Sequence, residues 1–226
     1  MGKITTKSLL EGKLKMISYT ISVYNELPEF FRLMELISAA KKKNDEIIVV
    51  HTYKDEKEQK LQNFQDIQNI AQGFADTYKV FHFENRFAEM KNYLNSLATQ
   101  AHIINFDADE FASSETIGLW RNILMQDAAD LYYVPRINTV TGYTLEDVKK
   151  YNWQINSNGW INWPDYQPRM FKNNNKIKWI GDVHEQLIGY EKALALTQDA
   201  QLAIIHHKDI IRQRQQNKLY ENIIRN

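Results

Sequence analysis

Two carboxylates spaced i, i+2 end the short apolar run Ile103-Ile104-Asn105-Phe106-Asp107-Ala108-Asp109, and a third, Glu110, follows directly. Where a buried strand gives way to a loop, carboxylates at this spacing can reach a single divalent cation. Hard oxygen donors of this kind suit Mg2+ or Mn2+, above all when phosphate oxygens complete the coordination. A polar loop after a strand is the competing reading of any Asp-x-Asp, so the elements around it must decide. Further chemically able groups lie downstream in Gly181-Asp182-Val183-His184-Glu185 and in His206-His207. Between them, Trp153, Trp160 and Trp163 stand among Asn156, Asn158, Gly159 and Pro164. Such a segment could wall a sugar pocket with its rings, or lie as a buried aromatic patch under a long connection.

The elements that must position these groups alternate. Residues 16–23 are rich in β-branched side chains and read as a first strand, stopping at Tyr24-Asn25-Glu26. Leu27, Phe30, Phe31, Met34 and Ile37 recur at helical spacing, with Asn25 available as a cap and Pro28 in the first turn. Residues 46–50 read as a second strand ending at His51, and Leu61, Phe64, Ile67, Ala71 and Phe74 mark a second helix. Residues 78–83 read as a third strand, and Phe87, Met90, Leu94, Leu97 and Ala98 as a third helix. Three strand–helix units before the aspartates predict an open, mostly parallel sheet with helices on both faces, which collects ligands at the carboxyl ends of its strands. Asn25, Glu26, His51, Asp107 and Asp109 all fall at such ends. Beyond them, Ser113 or Ser114 can cap a helix running to about residue 126. Residues 131–135, 167–171, 176–180 and 202–205 read as strands, residues 143–154 fit neither pattern, and the tail from Asp209 is helical in character.

Composition sets the outer bounds. The chain has 226 residues, 43% hydrophobic and 25% charged, consistent with one large globular domain. Lysine plus arginine and aspartate plus glutamate are 28 each, without the basic excess of a general nucleic-acid binder. There is no cysteine, which excludes disulfides and thiolate metal sites. No apolar run reaches the roughly 18 to 20 residues of a membrane span, and residues 1–15 read as a short polar lead-in, so a soluble, cytoplasmic protein is expected. Neither Gly-x-Gly-x-x-Gly nor Gly-x-x-x-x-Gly-Lys-[Ser/Thr] occurs, so a nucleotide would be held by a metal ion and scattered side chains.

Four segments together resemble the family 2 glycosyltransferases of the GT-A (Rossmann-like) fold. They are Ile21-Ser22-Val23-Tyr24-Asn25-Glu26, Asp45-Glu46-Ile47-Ile48-Val49-Val50, Phe106-Asp107-Ala108-Asp109-Glu110, and Pro164-Asp165-Tyr166-Gln167-Pro168-Arg169-Met170-Phe171 followed by residues 181–185. The last is similar to a signature of the branch that includes lipopolysaccharide-core glycosyltransferases. The resemblance covers residues 16–187. It departs from the family at His51, where an Asp usually ends the second strand, and at Lys91-Asn92, where Arg-Asn is common. Lysine keeps the charge but loses the bidentate fork.

The resemblance implies an inverting, metal-dependent transfer of a sugar from a nucleotide sugar to a hydroxyl of a glycan, lipid-linked or other acceptor. A UDP-sugar is the favoured donor, with GDP- and dTDP-sugars as alternatives. It assigns Asp109 to Mn2+ or Mg2+, Asp107 to the metal or the ribose, and His184 as the imidazole that could complete the metal shell, a packed histidine being the rival role. Glu185 is the expected general base, with Asp182 in reserve. Asn25, Glu26 and His51 are expected at base and ribose, and Lys91 or Arg169 at phosphate. The expected organisation is a single domain with a nucleotide-sugar half at 16–112, an acceptor half at 113–208 and a terminal helix at 209–226. Two rivals stay open: a catalytically inactive GT-A module that binds a glycan or partner protein, and an Asp-x-Asp phosphatase. The phosphatase motif wants Thr or Val where Phe111 stands.

Overall fold

The computed structural model describes residues 16–182 and 184–225. The lead-in expected at 1–15 lies outside them. Three parallel strands and their helices come first: β1 (Ile17–Val23), α1 (Leu27–Ala40), β2 (Glu46–Tyr53), α2 (Gln62–Phe74), β3 (Thr77–His82) and α3 (Phe87–Ser96). β4 (His102–Asp107) carries the first aspartate, and β5 (Glu110–Phe111) follows the second at once. Then come α4 (Ser114–Met125), β6 (Leu131–Thr141), α5 (Leu145–Lys150), β7 (Ile161–Lys172), β8 (Lys178–Ile180), β9 (Gln186–Ile188), β10 (Ala193–Ala195), β11 (Ile204–Asp209) and α6 (Ile210–Arg225).

The main sheet runs in the order β3-β2-β1-β4-β7-β6-β11-β5, with β10 beside the start of β6, while β8 and β9 pair separately. β3, β2, β1 and β4 are parallel, β7 is antiparallel to both its neighbours, and β11 runs parallel to β6. The chain order reverses around β1, where β2 and β4 flank it, and such a switch point opens a crevice at the carboxyl ends of the strands.

Strand alternation explains the two covered faces. Ile47 and Val49 of β2 pack with Phe30, Leu33 and Met34 of α1, Ile67 of α2 and Trp120 of α4. Ile48 and Val50 point the other way, onto Met90 and Leu94 of α3. Ile103, Leu131 and Phe171 join Trp179 and Leu187 from the β8–β9 hairpin on that second face. Each such side chain contributes about 1.5–3 kcal/mol through burial. The sheet with helices on both faces is therefore as expected.

Several boundaries differ. β2 continues to Tyr53, which puts His51 inside the strand rather than at its end. β11 starts and ends later than the apolar pattern, so His206 and His207 lie within it. The unresolved pattern at 143–154 contains α5, started by a Thr144/Asp147 capping box. β7 begins at Ile161, inside the tryptophan-bearing stretch, and β8 pairs with β9. The cap of α1 is Glu26 rather than Asn25, and its carboxylate folds back to accept the Tyr24 and Asn25 N–H groups at 2.8 and 3.1 Å. Among the described residues, no helix is long and apolar enough to cross a membrane.

Candidate active site

A cavity of about 680 Å3 opens at the carboxyl ends of β1 and β4, within the range of small-molecule sites. The turn carrying the aspartates is tied to the neighbouring strand, since Ala108 N–H donates to the Ser22 carbonyl at 3.1 Å. Beneath it Glu110 is buried, and its Oε1 accepts Arg169 at 2.6 Å and Arg136 at 2.9 Å.

From there a line of contacts connects the two aspartates through three strands. Arg169 Nη2 reaches Asp107 at 2.5 Å as well as Glu110. Arg136 donates onward to Asp165 Oδ2 at 2.6 and 2.9 Å, and Asn138 Nδ2 donates to the same oxygen at 2.8 Å. Asn138 Oδ1 lies 2.8 Å from His206 Nδ1, and His206 Nε2 lies 3.4 Å from Asp109 Oδ2. Strand geometry makes this possible. Arg136/Asn138 on β6, Asp165/Gln167/Arg169 on β7 and His206/Lys208 on β11 are each spaced by two and so share one face. Register places Arg136 opposite Asp165 and Asn138 opposite His206.

The two aspartates are held ionised. Burial alone would raise the Asp109 carboxyl, but His206, Lys208 and Arg212 hold it well below the usual carboxylate range. Lys208 Nζ and Arg212 Nη2 stand 3.3 and 3.4 Å from Asp109 Oδ2. Burial likewise opposes ionisation of Asp107, and Arg169 and Lys91 outweigh it. Burial pushes the Glu26 carboxyl upward, with Asp109 adding like-charge repulsion against the opposing Tyr24 hydrogen bond and Arg212. Burial lowers His206 against the pull of Asp109, and Lys208 and Arg136 lower it further, which favours the neutral imidazole.

A divalent cation fits this donor set at one point, where the Asp109 carboxylate faces a neutral imidazole with Asp107 close by. Among the described residues, no three His, Asp or Glu side chains converge as a ready-made cage. A cation held here would therefore take its remaining ligands from phosphate oxygens and water.

The expected site residues divide. Asn25, Glu26, Lys91, Asp107, Asp109, His184, Glu185 and Arg169 all line the cavity. Lys91 pairs with Glu185, lies 3.9 Å from Asp107, and has its ammonium 4.6 Å from the centre of the Trp179 ring. It thus connects the expected base to Asp107.

Four of the expected residues are placed as follows. His51 is fully buried and stacked on Phe64 at 3.7 Å, with its ring nitrogens at the Tyr78 hydroxyl and Tyr24 carbonyl, so it supports the cavity wall from behind. Arg169 lies against carboxylates, as the contacts above show, rather than turning outward to phosphate. Asp182 is exposed and stands outside the cavity lining, while its carbonyl accepts the Phe87 N–H at 3.4 Å. His184 packs edge-on against Tyr220 at 5.9 Å, and the imidazole beside Asp109 is His206.

Sequence reasoning passed over Arg136, Asn138, Lys208, Arg212 and Tyr220. The alternate polar residues within β6, β7 and β11 were the available signal for the first three. Arg212 and Tyr220 come from α6. Arg212 also meets Glu26 at 3.1 Å and Glu29 at 2.8 Å. The Tyr220 hydroxyl is pushed up to about 12 by burial and then by Asp107 and Glu185. Of the tryptophans, Trp153 and Trp179 line the cavity, whereas Trp160 and Trp163 pack on each other at 4.9 Å.

Comparison with known proteins bears on the family and the fold. Residues 18–195 match the model of the family described as Glycosyl transferase family 2. The SPbeta prophage-derived glycosyltransferase SunS of Bacillus subtilis (strain 168) is 26% identical over 212 residues, covering 90% of this chain and 43% of SunS. The S. aureus TarS 1-349 structure in complex with UDP-GlcNAc superposes with a TM-score of 0.55 at 14% identity, covering 85% of this chain and 58% of that one. The same protein in complex with UDP gives a TM-score of 0.53 at 13% identity, covering 85% of this chain and 60% of that one. The chain thus spans less than two thirds of the length of these relatives, and the structural likeness bears on the fold.

Proposed function

This chain belongs to glycosyl transferase family 2, and from that premise we propose that it moves a sugar from a nucleotide-sugar donor to an acceptor hydroxyl with inversion. The observation that carries the reading is the meeting of Asp107, Asp109 and Glu185 around one cavity, with Lys91 between Asp107 and Glu185. A UDP-sugar is the first donor to test, with GDP- and dTDP-sugars after it. The acceptor hydroxyl belongs to a glycan, lipid-linked or other acceptor, the first of these being in line with the likeness of residues 164–171 and 181–185 to the lipopolysaccharide-core branch. On this reading the donor half is 16–112 and the acceptor half 113–208.

Asn25 and Glu26, at the end of β1, face the nucleoside, and Glu26 Oε2 shapes the turn there by accepting two backbone N–H groups. Asp109 and His206 would hold Mn2+ or Mg2+, with Asp107 reaching the metal or the ribose. When bound, that ion supplies positive charge to the departing diphosphate. Lys208 and Arg212 bring two further cations to the same spot and suit phosphate oxygens. Glu185 takes the proton from the acceptor hydroxyl as the glycosidic bond forms, and Lys91 orients its carboxylate. Trp153 offers an aromatic face to the acceptor side.

Glu185→Gln tests the assignment. Transfer should fall by roughly 10²–10⁴-fold, while donor affinity by titration calorimetry stays within about twofold of wild type by the same argument, since the base acts on the acceptor. A Gln variant that turns over normally would remove Glu185 from the role. Wild-type protein that binds nucleotide sugars without turnover on any acceptor would favour the inactive binding module instead.

A further inference from the structure

We propose, on the reading of Glu185 as the general base, that Asn92 is a positioning residue: its side-chain amide seats the β8–β9 hairpin on α3, and this seating brings the Glu185 carboxylate to Lys91 at the cavity.

The hairpin needs an outside hold. β8 and β9 pair with each other and stand apart from the main sheet. Two strands alone are marginally stable in water, so their place in the molecule is set by what they pack on. Through Trp179 and Leu187 the hairpin rests on Ala88 of α3, together with Ile103 and Phe171. Apolar packing is non-directional and permits sliding, whereas hydrogen bonds fix a register. Asn92 supplies them. Its Nδ2 donates to the Trp179 carbonyl at 2.9 Å, and its Oδ1 accepts the Trp179 N–H at 2.9 Å. The amide thus serves β8 as a residue of a neighbouring strand would. Because a backbone N–H only donates and a carbonyl only accepts, the two bonds also fix which way the amide points.

The same face of the helix holds the base. Ala88, Lys91 and Asn92 are spaced i, i+3, i+4 and so lie together on α3. Lys91 is buried, and its ammonium pairs with Glu185 and lies 4.6 Å from the centre of the Trp179 ring. Glu185 stands directly before β9 and two residues before Leu187, the cross-strand partner of Trp179. The far end of the hairpin is closed tightly, since a Cβ on Gly189 would overlap the Lys176 carbonyl oxygen. A shift of Trp179 therefore carries Glu185 with it.

The first measurement needs no substrate. A 1H–15N correlation of the lysine ammonium groups at low temperature should show a slowly exchanging Lys91 signal, assigned by its loss in Lys91→Arg. Glu185→Gln should displace it. Asn92→Leu removes both hydrogen bonds while keeping the bulk and helix propensity of the position, and it should displace the signal in the same sense. Asn92→Ala serves as the second variant, with circular dichroism checking that each is folded. An unchanged Lys91 signal in a folded Asn92 variant overturns the proposal, because a residue that merely stabilised the fold would leave the ion pair in place. Absence of the signal from wild type overturns the pairing itself. The second measurement follows UDP release from a UDP-sugar with Mn2+, water standing in for the acceptor hydroxyl. The Asn92 variants should lower kcat by roughly ten- to a hundredfold with the donor KM within about twofold, and should cost nothing further in a Glu185→Gln background. Losses that multiply in the double variant overturn the positioning role. Wild-type turnover by Glu185→Gln overturns the base assignment instead, and the ammonium signal separates that failure from a failure of the hairpin contact.

Discussion

Glu110 sits under the site with 1% of its surface exposed, and its carboxylate takes a guanidinium from each of two strands. It binds no substrate on our reading, yet it fixes where Arg169 and Arg136 point and so where Asp107 and Asp165 stand. A buried charge in such a network is costly to remove, because its partners are left uncompensated. His51 has a similar supporting role, and its consequence can be measured through pH. Burial lowers its pKa to about 4, against the opposing bond to the Tyr24 carbonyl, from an unfolded value of 6.5. The unfolded chain therefore binds the extra proton between these values, so the contribution is complete above pH 6.5 and lost as pH falls toward 4. The full effect is about 3 kcal/mol at the acid end. Urea denaturation at pH 4.5 and pH 7 should show a smaller acid loss in His51→Gln than in wild type, and equal losses in the two would refute the assignment.

At the scale of elements, β6, β7 and β11 work as one bracket, each giving alternate side chains to the same surface. α6 then joins parts of the molecule distant in sequence. Arg212 reaches Glu26 and Glu29 near the start of α1 and Asp109 in the turn after β4. Arg214 pairs with Asp147 of α5 at 2.8 Å, and Tyr220 meets the Phe87 ring at 5.9 Å. Ile210 is buried whereas Ile211 is 66% exposed, so α6 is held as much by these polar contacts as by an apolar face. Arg212→Ala should accordingly speed amide hydrogen exchange across residues 210–225 while β1 and β4 keep their protection. Uniform acceleration across the sheet would mean that Arg212 supports the whole fold. The capping box of α5 offers a smaller check, since Thr144→Ala should cost about 1 kcal/mol in denaturant unfolding.

For the whole molecule, the cavity lies between the parallel β1–β4 region and the bracket of β6, β7 and β11, so a bound donor would join the two. A ligand at 100 times its dissociation constant stabilises the folded state by about 2.7 kcal/mol. In a chain of this size that corresponds to a Tm increase of roughly 5–10 °C. Mn2+ with UDP should produce such an increase in a thermal scan, and Mn2+ alone a much smaller one, because the diphosphate supplies part of the coordination. No shift with UDP, GDP or dTDP would contradict the donor-site assignment.

The order of strands and helices as far as Asp107 was legible in the residue pattern, and with it the edge of the sheet where Asp107 and Asp109 stand. Local periodicity and residue type carry that information, because each apolar face is written along one segment. The sequence also carried Glu185 into view through likeness to a family. Which imidazole meets Asp109 follows from the fold, because β11 is placed beside β6 by sheet order rather than by any local pattern. For the same reason Arg169 turned to Glu110, and Arg212 arrived from more than one hundred residues away in the chain. His51 shows the complement: an extra three residues of β2 moved it from a strand end into the core, a change that depends on pairing with β3. Local propensity sets elements, whereas strand neighbours and buried charge pairs set which side chains share a site.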